Sequence, residues 1–232
     1  AREAVLKAQD AGFENINLDL MYALPEQTLA MALRDVEQAI ALQPQHLSHY
    51  QLTLEPNTLF AAKPPQGIPE MDDAWDMQER CIELIQAHGY GQYEVSAYAK
   101  HGKRCQHNLN YWQYGDYLGI GAGAHGKISS GESGKILRRW KPKHPETYIT
   151  SSGTSAGIGG DECITEANRP FDYMLNALRL HDGFSLNDFE YRTGLSRTAI
   201  QSELQKAISE QWLQQHGDWV KPTELGMRFA ND

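Results

Sequence analysis

Cysteine is scarce in this sequence of 232 residues. Its three thiols, Cys81, Cys105 and Cys163, stand too far apart for a CxxC or CxxxCxxC clip, so the cysteines alone read as neither a metal site nor a disulfide framework. An odd cysteine count with no secretory leader fits a reducing cytoplasm. No run of about 18 apolar residues is present, which leaves nothing to span a bilayer as a helix. Positive charge is outnumbered, with 21 Lys and Arg against 30 Asp and Glu. That balance makes a dedicated nucleic-acid binder a poor default, because phosphate neutralisation needs clustered cations. The opening AREAVLKAQDAG is neither a signal nor a transit peptide. It reads as the middle of an amphipathic helix ended by Gly12, so the sequence is expected to be a piece of a longer one. What remains suffices for a core: a hydrophobic fraction of 41% and five Trp exclude a disordered chain.

Charge is unevenly placed. Residues 1–100 carry net −9, whereas residues 101–150 carry net +5 and also hold Tyr111, Trp112, Tyr114, Tyr117 and Trp140. A basic, aromatic block suits a flat anionic ligand as well as single-stranded nucleic acid.

The first third alternates helix and strand. The spacing predicts a strand over 16–22, a helix capped by Thr28 and stopped by Pro44, and a strand over 46–54. Strand–helix–strand at this spacing argues for a parallel α/β unit. A Pro-rich loop (56–69) precedes a helix capped by Asp72 or Asp73 and running to His88, then a strand over 93–98. Residues 129–134 (SSGESG) resemble a hairpin tip, 151–161 (SSGTSAGIGGD) a flexible linker, and a domain boundary is expected near 168. The tail reads as helices over 170–180, 185–193 and 196–211, a hairpin turned at Gly217–Asp218, and a last helix capped by Thr223. That is a winged-helix-like pattern.

Three places could carry chemistry. Asp19 interrupts an apolar strand, and a buried carboxylate needs a partner or a ligand; a loop cap or an ion pair would explain it equally. His107–Trp112 (HNLNYW) joins an imidazole, a ready axial ligand to heme iron, to aromatic walls, although a His beside aromatics is commonly a hydrogen-bonded structural residue. Gly119–Gly126 holds four glycines and is no dinucleotide fingerprint; it serves either close approach to a ligand or a tight strand junction. The tail's third helix balances Arg197 and Lys206 against Glu203 and Glu210, which favours a packing or interaction module over a DNA reader.

Long runs carry a resemblance: NLDLMYALPEQT from Asn17, HLSHYQLTLEPNTLF from His46, and the stretch from Tyr93 to Gly126, continued by PFDYMLNALRL and TELGMRFAND. They resemble the HemW-type heme chaperones, radical S-adenosylmethionine (SAM) proteins similar to oxygen-independent coproporphyrinogen III oxidase. The resemblance implies an α/β fold: the carboxy-terminal part of a radical SAM partial (β/α) barrel followed by a small winged-helix-like α domain. The last barrel units would occupy residues 1–65, a substrate or heme-side region 66–168, and the HemN-type helical domain 169–232. Asp19, Thr53 and His125 match positions on the SAM side.

The HNLNYW run matches HNxxYW, so His107, Asn108, Tyr111 and Trp112 are implied on the heme side, with His107 the candidate iron ligand. The implied cofactors are heme and, in the full-length parent, SAM and a [4Fe–4S] cluster. The CxxxCxxC cluster loop is missing from this sequence, so the chain alone is expected to be catalytically inactive. The favoured expectation is heme capture on a Tyr111/Trp112 wall, with cations of the 101–150 block meeting the propionates. Delivery would be to a membrane-bound heme enzyme from the cytoplasm, with no nucleic acid involved and a homodimer left open. The rivals are a true coproporphyrinogen oxidase and an interaction module built on the tail.

Overall fold

A computed structural model describes residues 2–229; the last three residues of the TELGMRFAND run lie outside the described residues, as does residue 1. The chain divides into two compact units, Ala1–Cys105 and Gln106–Asp232.

In the first unit, helix α1 (Arg2–Asp10) precedes strand β1 (Asn17–Tyr22), helix α2 (Leu29–Ala41) and strand β2 (His46–Gln51). Thr28 caps α2, its hydroxyl accepting from the Met31 amide at 3.4 Å. β1 and β2 are parallel, in register from Asn17 opposite His46 to Tyr22 opposite Gln51, with α2 as the crossover. This is the α/β unit that the sequence spacing predicts. After the short helix α3 (Leu59–Ala62) comes α4 (Met71–Ala87), which starts after Glu70; that side chain makes no cap, and Asp72 and Asp73 occupy the first turn instead. Their charge there favours the positive end of the helix dipole.

The single strand expected over 93–98 is a hairpin of β3 (Gly91–Glu94) and β4 (Ala97–Ala99). The Glu94 carboxylate accepts the Ser96 amide at 3.0 Å and closes the turn. β4 then pairs antiparallel with β2, giving sheet order β1-β2-β4-β3. Val36, Ala39, Met77, Cys81 and Ile85 from α2 and α4 cover one face of the sheet, packing with Leu18, Leu20, Tyr22 and Leu47. The alternation of strand side chains puts Asn17, Asp19, His46 and Ser48 on the other face.

The second unit opens with α5 (Gln106–Trp112) and continues through β5 (His125–Ser129), β6 (Ile136–Trp140), α6 (Pro145–Ser151) and β7 (Gly160–Ile164). β5, β6 and β7 form an antiparallel sheet, and the 130–135 segment turns the expected hairpin. The expected linker at 151–161 is structured: a 3₁₀ turn at Ser155–Gly157 leads straight into β7. Three of its glycines, Gly157, Gly159 and Gly160, serve close contact. A Cβ on Gly159 would lie 2.7 Å from the Lys141 carbonyl, and one on Gly160 2.2 Å from the Trp140 ring.

The tail follows the expected order: α7 (Arg169–Ala177), β8 (Phe184–Ser185), α8 (Leu186–Thr193), α9 (Gln201–Ser209), β9 (Leu213–His216), β10 (Trp219–Pro222) and α10 (Glu224–Arg228). A 3₁₀ turn at Arg197–Ile200 replaces the first turn of the third expected helix, and β8 widens the ribbon to three strands. One apolar cluster joins Tyr114, Ile136 and Ile164 to Tyr173, Phe189, Leu204 and Val220. Residue 168 therefore lies within a packing unit, and the chain divides by packing after Cys105.

Candidate functional site

The HNLNYW run forms α5, and the way that helix ends decides what each of its side chains can do. The Gly115 amide reaches back to the Asn110 carbonyl at 2.7 Å and the Tyr114 amide to the Tyr111 carbonyl at 2.9 Å, the pairing of a Schellman stop. The left-handed residue in such a stop is usually glycine; here it is Tyr114, at φ 58°. Its side chain is held from several sides. The hydroxyl donates to Asp172 Oδ2 at 2.6 Å, and the Lys127 ammonium sits 4.0 Å from the ring centroid. Gly115 must be small, since a Cβ there would lie 2.1 Å from Asn110 Oδ1.

Lys127 is the hub beneath the helix. Only 2% exposed, it donates to the Tyr114 carbonyl and to Asp116 Oδ1, both at 3.0 Å, and to Ser129 Oγ at 3.4 Å. Burial lowers its ammonium pKa, and the Asp116 carboxylate opposes that shift. Burial pushes the Asp116 carboxyl up, but the Ser129 amide, Lys127 and the Ser129 hydroxyl together hold it below its ordinary value. Lys127 also exchanges two backbone hydrogen bonds of 2.9 Å with Tyr117. The Tyr117 ring in turn lies 4.3 Å from that of Tyr111, which meets the His107 ring edge-on at 4.8 Å. A cavity of about 20 Å³ lined by Tyr111, Tyr117, Lys127 and Arg138 has room for roughly one water.

His107 is exposed on this ladder, and among the described residues its imidazole makes no hydrogen bond. A neutral imidazole with a free nitrogen, backed by a fixed aromatic ring, can ligate an iron or accept a hydrogen bond. Tyr111 and Trp112 do not make the expected common wall. Successive helical residues point about 100° apart, so Trp112 turns away and lies under the Arg179 guanidinium, 4.5 Å from its ring. Trp112 lines a different cavity, of about 130 Å³, with Tyr173, Phe184, Asp188, Arg192 and Trp219. Asn108 is half-buried on the same helix.

A profile of the HemN C-terminal domain matches residues 164–229. Over its whole length the chain is 44% identical to "Heme chaperone HemW" of Haemophilus influenzae and 43% identical to that of Escherichia coli, and it covers 59% and 60% of those proteins. It is 42% identical to the Bacillus subtilis HemW, with 89% of this chain aligned over 54% of the relative. Along its whole length the chain is similar to HemW. It spans about six-tenths of the length of these relatives, and the position of the HemN C-terminal domain match fits a carboxy-terminal segment. Among solved structures, it aligns with a coproporphyrinogen III oxidase (HemN) from Escherichia coli, described as a radical SAM enzyme. The TM-score is 0.76 at 17% identity, covering 99% of this chain and 56% of the other, a likeness of fold.

Within this fold the remaining expected residues separate. Asp19 is exposed in the middle of β1, not buried in an apolar strand, because its side chain points to the face away from α2 and α4; it accepts from Asn17 Nδ2 at 2.8 Å. Thr53 is exposed just after β2, its hydroxyl donating to the Gln51 carbonyl at 3.4 Å. His125 begins β5, exposed and stacked against Trp140 with ring centroids 5.9 Å apart.

Gly119 is packed tightly there, since a Cβ would lie 2.3 Å from the His125 carbonyl oxygen, which favours the tight-junction reading of the glycine run. Three cations of the basic block are already engaged: Lys127, Arg138 with Asp172 at 2.6 Å, and Arg139 with Asp161 at 3.1 Å. Arg197 of the tail is held by Glu190 and Asp218. Among the described residues no group of three or more His, Cys, Asp or Glu could hold a metal ion. Sequence reasoning missed the Lys127 hub and the Tyr114–Asp172 pair; neither residue type at those positions carries a local motif.

Proposed function

We propose that this chain supplies the heme-side portion of a HemW-type heme chaperone, with His107 as axial ligand to the heme iron. One observation carries this reading. The imidazole of the HNxxYW run is exposed and free of hydrogen bonds, yet held by Tyr111 on a helix whose end is fixed by Tyr114, Lys127 and Asp172. The relatives' name, heme chaperone, supports the same reading. Heme, when bound, would supply an iron able to take a nitrogen ligand; His107 would present a ring nitrogen to it, and Tyr111 would fix the ring's orientation. Lys135, Lys141 and Lys143, which make no ion pair among the described residues, would meet the propionates in charge-assisted pairs.

The donor set does not fit a resident cluster. The cysteines stand apart, with Cys81 buried in the first unit and Cys163 exposed on β7, so no step of radical chemistry is assigned to these residues. In this reading the cluster and SAM belong to a longer protein, where Asp19, Thr53 and His125 lie on the SAM side. Residues 1–65 would close a partial (β/α) barrel, 66–168 would form the heme-side region, and 169–232 would form the winged-helix-like domain. Heme would be carried in the cytoplasm to a membrane-bound heme enzyme. No helix among the described residues is long and apolar enough to cross a membrane.

The test is a hemin titration of this chain and of His107→Ala, followed by Soret absorbance. One-equivalent saturable binding, with the band shifted and affinity lowered tenfold or more in the variant, supports the reading. Weak and equal binding by both proteins overturns it. Size-exclusion chromatography with and without hemin would show whether binding is accompanied by a homodimer.

A further inference from the structure

On the sheet face away from α2 and α4, a chain of hydrogen bonds runs from a backbone amide to Asp19. His46 is 3% exposed; its Nδ1 lies 2.6 Å from Asn17 Oδ1 and its Nε2 2.8 Å from the Tyr93 hydroxyl. The Ser48 hydroxyl also donates to Asn17 Oδ1, at 3.1 Å, and Asn17 Nδ2 donates to Asp19 Oδ1 at 2.8 Å. At the far end the Tyr93 hydroxyl accepts from the Cys105 amide at 3.3 Å. The strand register builds this cluster, since Asn17 sits opposite His46 and Asp19 opposite Ser48.

The direction of every bond follows from the carboxylate. An ionised Asp19 can only accept, so Asn17 must turn its NH₂ toward it. The amide oxygen then faces His46 Nδ1, which must carry the hydrogen. The neutral ring's Nε2 is left as an acceptor for the Tyr93 hydroxyl. Burial keeps His46 neutral by lowering its pKa, against a smaller opposing pull from Asp19. Asp19 Oδ1 is thereby occupied, and Oδ2 has no partner among the described residues.

We infer that Asn17 and His46 are positioning residues: they hold Asp19 by one oxygen and present the other to the ligand bound on this face. The inference rests on the reading of Asp19 as a SAM-side residue. The ligand chemistry it fits is a donor group, an ammonium or a hydroxyl, of the kind SAM carries on its methionine and ribose. Tyr93 fixes the outer edge of the imidazole but does not set its tautomer.

The experiment is long-range ¹H–¹⁵N spectroscopy of the histidine rings of this chain at neutral pH, with Asp19→Leu and Tyr93→Phe compared. His46 is expected as a single Nδ1–H tautomer. Asp19→Leu should release the Asn17 amide and give a mixed or reversed tautomer, although Asp19 is exposed and does not touch the ring. Tyr93→Phe should leave the tautomer unchanged. An Nε2–H tautomer in the parent, or a change with Tyr93→Phe but none with Asp19→Leu, overturns the inference. The reading beneath it is tested separately, by SAM affinity of the full-length protein. Asn17→Leu and Asp19→Asn should each weaken SAM binding about tenfold, the scale of one charged hydrogen bond. If SAM affinity stays put while the tautomer behaves as expected, the relay stands and the assignment of Asp19 to SAM falls.

Discussion

The Tyr114 hydroxyl donates to Asp172 across 2.6 Å, joining the end of the HNxxYW helix to the first turn of α7. Arg138 holds the other carboxylate oxygen, also at 2.6 Å. Tyr114→Phe keeps the ring and removes the donor, so the expected loss is about 1–2 kcal/mol. Urea denaturation reads it directly, and an unchanged midpoint would mean that Arg138 alone satisfies Asp172.

Alkaline pH acts on the same bond. Burial, with the Asp172 hydrogen bond and charge adding to it, raises the Tyr114 pKa well above the ordinary phenol value; burial does the same for Tyr22, Tyr98 and Tyr173. A raised folded pKa gives stability that is complete below the unfolded value, near 10, and is lost above it. The urea midpoint should therefore hold steady up to about pH 9.5 and fall beyond it, with the phenolate absorbance of these four buried tyrosines appearing only as the chain unfolds.

Acid acts through His49. It is 4% exposed, stacked 4.6 Å from Tyr22, and its Nδ1 has no hydrogen-bond partner. Burial lowers its pKa to about 4. The unfolded chain takes up this proton near pH 6.5 and the folded chain near 4, so stability is present above 6.5 and drains away as pH falls to 4, by roughly 3 kcal/mol at most. His49→Gln should flatten that part of the pH profile; an unchanged slope would point to other groups.

Lys127→Met exchanges an ammonium for a thioether of similar length under α5. The Tyr114 carbonyl and Asp116 lose a charged donor, although the Ser129 amide and hydroxyl keep the carboxylate partly satisfied. A loss of about 1–3 kcal/mol is expected, with the Asp116 pKa rising toward its ordinary value in a carboxyl NMR titration.

Gly115→Ala places a methyl 2.1 Å from Asn110 Oδ1 and 2.8 Å from its carbonyl. The Schellman stop must open, at about 1–3 kcal/mol. If His107 ligates heme from this helix, hemin affinity falls together with stability, whereas Leu118→Ala, an exposed site nearby, should alter neither.

Much of the architecture was legible because single residues carried it. Thr28, Ser185, Ser196 and Thr223 each accept an amide at the start of the turn they were expected to cap. Other features hinged on what a segment touches. Gly159 and Gly160 look like linker residues until Lys141 and Trp140 are seen against them. The run YEVSAY reads as one strand because nothing local announces that Glu94 will bond to Ser96. At the candidate site the identity of His107 was visible but its neighbours were not: helical rotation sends Trp112 to Arg179, and Lys127 arrives from fifteen residues beyond Trp112 to hold the helix end. The Asn17–His46 pair had a faint signal, a polar residue two places before Asp19 on one strand.

The stretch matched by the HemN C-terminal domain starts at Ile164, the last residue of β7, and the core of the tail includes Tyr114 and Ile136 from outside it. Recombination at that seam would inherit Ile164 without the rest of its strand and the cluster without two of its members. The module conserved as a name is thus not a cassette: a graft that carries the tail onto another scaffold has to begin at Gln106, and the heme-side helix travels with it.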